Sequence, residues 1–151
     1  MEKRLKNIDD AYQWSVDTVA ALRAADFSRI DLDELINEIG SIASGLRREL
    51  VSALRQVIEA LLVAEYAHAN DKERTANECQ SVKAQGQLQL LLSAAPGLKA
   101  ILGEAVEEAY GDARQFVTED FDVALPDRCP FPLERITENP YQRLVAIGQL
   151  A

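Results

Sequence analysis

Glu65-Tyr66-Ala67-His68 is a Glu-x-x-His step. On a helix, a spacing of three sets both side chains on one face. Two such steps, with a Glu from each of two further helices, hold a di-iron or di-manganese centre inside a helical bundle. The chain has one histidine and can supply one such step. Glu34 and Glu38, four apart, present carboxylates on one face. With Glu65 and His68 they make the candidate metal set, and Glu78 is a further carboxylate within the same reading. Pairs of this kind also suit acid–base work on a shared proton; Glu104 and Glu108 repeat the spacing. The competing expectation is plainer, and the sequence favours it. Acidic residues at such spacing form solvated helix faces, and His68 sits well at the negative end of a helix dipole.

Arg47 and Arg48, with Arg55 about two turns on, could bind an anion. Such arginines more commonly pair with helix carboxylates or with a partner's acidic face. Acidic residues outnumber basic ones 25 to 16, for a net charge of −9. A sequence-independent nucleic-acid binder needs the opposite balance, so nucleic acid is not expected as a partner. Cys79 and Cys129 have no CxxC neighbour and read as free thiols. There is no phosphate-cradling glycine loop, nucleophile elbow or zinc-spaced cysteine cluster. No catalytic set and no cofactor is expected.

The elements that must position these residues are helical. At 151 residues the chain has the length of one domain. A basic start passes into Ile8-Asp9-Asp10 and not into an apolar run, so no leader and no membrane span is expected, and the location predicted is the cytoplasm. Ala, Leu, Glu, Gln and Arg dominate, strand-like alternation is absent, and no proline precedes Pro96. The first helix is predicted from about Asp9 to Ala25, with Trp14 in the core; Phe27 is expected to tuck back behind it. Asp31 is a good N-cap for the second helix, with Glu34 three residues on. From Leu32 to Leu62 apolar residues recur at steps of three and four, giving one long stripe. That helix carries to about His68, with a bend expected at Gly40–Gly45. A third helix is predicted over Asp71–Ala94 and a fourth from Pro96 to about Glu119, with Leu98, Ile101, Leu102, Ala105, Ala109, Ala113 and Phe116 inward. Pro126, Pro130 and Pro132 then preclude regular helix, leaving an irregular segment with a short helical turn at Leu133–Thr137. Tyr141–Ala151 is terminal and expected to fray.

Several local features recur in one known family. They are Tyr12-Gln13-Trp14 and Ala21-Leu22-Arg23, Ile30-Asp31-Leu32, Asn37-Glu38-Ile39, Arg47-Arg48-Glu49-Leu50, and Leu61-Leu62 ahead of Tyr66. Later come Pro96-Gly97-Leu98, Tyr110 with Ala113, and Pro126 with Cys129-Pro130. Their order resembles the bacterial family of domain of unknown function number twenty-nine, and the likeness spans about Tyr12 to Ile136. Ala60, Val63 and Ala64 stand where that family usually carries His, Lys and Trp; Thr75-Ala76 replaces a Ser-Trp pair, and Gln85-Gly86 a Gln-Arg pair. The resemblance implies an all-helical fold and a bacterial origin. It also implies that any polar site shared at those positions is lost here.

The expectation is an all-α protein: an antiparallel bundle of about four main helices, one of them long, with a core over about residues 9–120 and a proline-rich C-terminal segment. The leading function is a non-enzymatic interaction or structural module. The alternatives are a carboxylate metal or enzyme bundle, and a regulator contacting nucleic acid through Arg47, Arg48 and Arg55. The apolar stripe of the long helix outruns the third and fourth helices, which predicts a homodimer across it, with Leu46, Leu50 and Leu54 wanting cover.

Overall fold

The structure, a computed structural model, describes residues 10–67, 70–142 and 148. The predicted start of the first helix at Asp9, His68, and most of the segment after Tyr141 lie outside those residues. Every regular element described is helical, and the fold is an all-α bundle.

Asp10 begins the first helix by accepting a hydrogen bond from Gln13 N–H at 3.0 Å, which satisfies one of the donors left free at a helix start. Helix α1 runs Ala11–Arg23. It ends in a Schellman motif: Asp26 N–H donates to Ala21 O at 2.9 Å and Ala25 N–H to Leu22 O at 3.0 Å. Ala25 takes the left-handed position, with φ 53°. A single 3₁₀ turn, Phe27–Arg29, leads to Ile30. Ile30 is buried and Phe27 is 59% exposed. The expected return of Phe27 to the core therefore fails, because Ile30 takes the buried place. Trp14, expected in the core, is half-buried.

Helix α2 runs Leu32–Tyr66. Asp31 caps it as the sequence predicts, accepting from Glu34 N–H at 3.2 Å. The backbone stays helical through Gly40 and Gly45. Two compact units divide the chain at this point, Met1–Gly45 and Leu46–Ala151. In the first, Thr18, Ala21 and Ile30 are buried.

The second unit holds a continuous core. From α2 it takes Leu50, Leu54, Val57, Ile58, Leu61 and Leu62. Leu50 and Leu54 are fully covered there and Leu46 packs beside them. The row expected to want cover is thus filled by the unit itself. Helix α3, Asp71–Ala94, opens with a reciprocal capping box between Asn70 and Glu73. Its polar first half is mostly exposed, and Ala84, Leu88 and Leu92 face the core.

An α-helix was expected from Pro96. Instead Pro96–Ile101 winds as 3₁₀, and α4 runs Leu102–Phe121. Leu98 N–H bonds Ala95 O at 3.1 Å, and the three-residue repeat sets Leu98 and Ile101 on one side. Phe116, predicted inward, is 50% exposed, whereas Val106, Tyr110 and Val117 are buried. The proline-rich segment then contributes Leu125, Phe131 and Ile136 to the core, the last on the short helix α5, Leu133–Ile136.

Candidate functional site

The first unit concentrates exposed apolar side chains. On α1 these are Tyr12, Val16, Val19 and Leu22, followed by Phe27. On α2 they are Leu32, Ile36, Ile39 and Ile42. These nine compare with five such residues described in the whole of the second unit, Leu90, Phe116, Phe121, Leu133 and Tyr141. Steps of four and three put Tyr12, Val16 and Val19 on one face of α1. Half a turn away lie the half-buried Trp14 and the buried Thr18 and Ala21. A helix apolar on opposite faces is built to have two neighbours. That was the legible signal for a surface here, and reading the residues as one broad face missed it.

Along α2 the same row of positions changes character. Leu50, Leu54, Val57 and Leu61 are buried; Leu32, Ile36 and Ile39, at the matching steps, are 53–65% exposed. Across Leu32–Ser44 the exposed positions are Leu32, Asp33, Ile36, Asn37, Ile39, Gly40, Ser41, Ile42, Ala43 and Ser44. Asp33 is the one charge among them.

The candidate metal residues are placed as follows. Glu34 and Glu38 lie one turn apart in the first unit, both half-buried. Glu65 is in the second unit, ion-paired to Arg135 at 2.5 Å. Arg135 also lies 5.1 Å from the centre of the Phe131 ring, an ordinary cation–π distance. Glu78 is exposed. Among the described residues no group of three His, Cys, Asp or Glu is arranged to hold a metal.

The arginines considered for anion binding find carboxylates. Arg47 spans Glu104 at 3.1 Å and Glu108 at 2.7 Å. These hydrogen bonds, Glu108 first, hold its guanidinium above the usual range. Arg55 pairs with Glu59 at 3.4 Å. Burial lifts the Glu59 carboxyl above the ordinary range; Arg55 opposes this and Asp112 adds to it. The pair of glutamates read as an acid–base candidate is thus a clamp for one arginine. Arg48 is exposed.

Polar groups also strap the proline-rich segment to the bundle. Tyr110 donates to Pro126 O. Arg114 donates to Leu125 O and to Asp127. Gln85, buried on α3, donates to Arg135 O, and Gln89 to Thr137 O. Cys129 sits half-buried in this strap, 3.8 Å from Phe131 O; burial raises its thiol pKa above the ordinary value. Cys79 is exposed on α3. Both thiols are free, as expected.

Among the described residues no helix is long and apolar enough to cross a membrane. No curated protein and no solved structure matches the chain. One family does, and its match takes in both the first unit's helix α1 and the strap. Over residues 8–142 the sequence fits the family described as domain of unknown function DUF29. The chain belongs to that family.

Proposed function

We propose that the chain is a non-enzymatic helical interaction module and that its first unit is the docking surface. The observation that supports this is the crowding of nine exposed large apolar side chains between Tyr12 and Ile42. Scattered apolar residues on a surface are ordinary, whereas a concentration of them marks a site of association. Three arginines of the second unit hold its own fold: Arg47 pairs with α4, Arg114 ties α4 to the strap, and Arg135, on the strap, pairs with Glu65 of α2. Those arginines are thus structural, whereas the first unit leaves its large apolar side chains exposed.

A photo-cross-linking amino acid placed at Ile39, and separately at the exposed Gln87 of α3, tests this in living cells. Discrete adducts at Ile39 and none at Gln87 are expected. No adduct at Ile39 would end the reading.

A further inference from the structure

We infer that the occupant of the first-unit surface is a second copy of this chain, joined in a two-fold dimer centred on the Leu32–Ser44 stretch of α2. The inference rests on the docking reading above and names its partner.

Charge narrows the choice. Of the ten exposed positions between Leu32 and Ser44, Asp33 alone is charged. A partner recognised by charge, whether an acidic or basic protein, a nucleic acid or an anionic lipid surface, needs complementary ions. An amphipathic helix that lies on a membrane carries Lys and Arg on its polar face; the exposed positions of this stretch have neither. A nearly neutral face meets its own copy with little like-charge repulsion.

Shape points the same way. Two-fold association brings one patch against itself, so the patch must be its own mate. Large residues give way to small ones along the stretch, from Leu32, Ile36 and Ile39 to Gly40, Ala43 and Ser44. Run antiparallel about the midpoint of Ile36 and Ile39, the row sets Leu32 across from Ala43 and Ile36 across from Ile39. Close approach is unobstructed, since a Cβ added at Gly40 or Gly45 would meet nothing within 4 Å.

The area is sufficient. The nine apolar side chains of the unit are 40–76% exposed. With aromatic side chains carrying about 150–250 Å² and aliphatic ones somewhat less, they leave on the order of 800 Å² uncovered. A standard interface buries about 800 Å² on each partner, and the exposed apolar area of the unit is of that order.

Light scattering on the full chain, from about 1 to about 100 μM, decides the matter. The expected mass is twice 16.7 kDa. Ile36→Asp with Ile39→Asp should give the single-chain mass with unchanged circular dichroism, because both sites are exposed. Ile42→Gln, a milder change, should weaken the dimer by about tenfold. Leu90→Asp, at a site 73% exposed in the second unit, should leave the dimer intact. A wild-type mass of 16.7 kDa throughout overturns the inference, as does a dimer that survives the Ile36 and Ile39 changes. If the chain is monomeric while the Ile39 cross-linker still captures a different protein, self-pairing falls and the docking reading stands. If nothing is captured, both fall.

Discussion

Tyr110, buried in α4, donates its hydroxyl hydrogen bond to the carbonyl oxygen of Pro126 at 2.5 Å. This contact fastens the start of the strap to the bundle. Tyr110→Phe keeps the ring and removes the donor, so the second unit should lose about 1 kcal/mol in urea unfolding. Burial also raises the phenol's pKa above its ordinary value. The folded chain therefore holds the proton more tightly than the unfolded chain. This stabilisation is complete below the unfolded value of about 10 and is lost as pH rises through the folded one. Wild-type stability should fall on that alkaline limb, and Tyr110→Phe should flatten it. An equally steep limb in the variant would place the titrating group elsewhere.

Ala25 occupies the left-handed position of the Schellman motif that ends α1. Glycine is the ordinary occupant because a Cβ there is crowded. Ala25→Gly should raise the thermal midpoint of the first unit, with a gain of about 1 kcal/mol less whatever entropy glycine adds to the unfolded chain. A lower midpoint would mean that the unfolded-state entropy outweighs the relieved strain.

The two thiols should react at different rates. Cys79 is exposed, while Cys129 is half-buried with its pKa raised by burial. Alkylation at pH 8 followed by peptide mass analysis should show Cys79 modified first, with Cys129 lagging by about tenfold or more, since the thiolate is the reacting form. Cys129→Ala should fold under reducing conditions at a cost of about 1–2 kcal/mol. Equal labelling rates would show that the strap opens freely.

Helices were legible because their signals are local. Asp31 ahead of Leu32, and Asn70-Asp71 ahead of a run of helix formers, mark starts that the backbone obeys. The stripe from Leu50 to Leu62 announced a core by its spacing alone. The fate of the proline-rich segment was not legible. Its prolines forbid regular structure, but Phe131 and Ile136 are buried by packing on a core drawn from α2, α3 and α4, and the segment is fastened there by Gln85, Gln89 and Tyr110, all distant in sequence. The same limit applies to the candidate site. Spacing placed Leu32, Ile36 and Ile39 on the stripe that holds Leu50 and Leu54, and nothing local distinguishes the exposed half from the covered half. Spacing put Glu104 and Glu108 on one helix face and suggested a shared proton, but what they share is Arg47, 57 and 61 residues away.

The strap also sets a clock on biosynthesis. The bundle's last long helix contributes Val117 to the core, yet the cluster closes only with Ile136. Translation at about 5–20 residues per second puts roughly 1–4 s between those two residues. During that interval the nascent second unit has α3 and α4 but lacks the Phe131 and Ile136 side chains that finish its apolar interior. Slow codons within this stretch would lengthen the exposure, and a holding chaperone would have its best opportunity there.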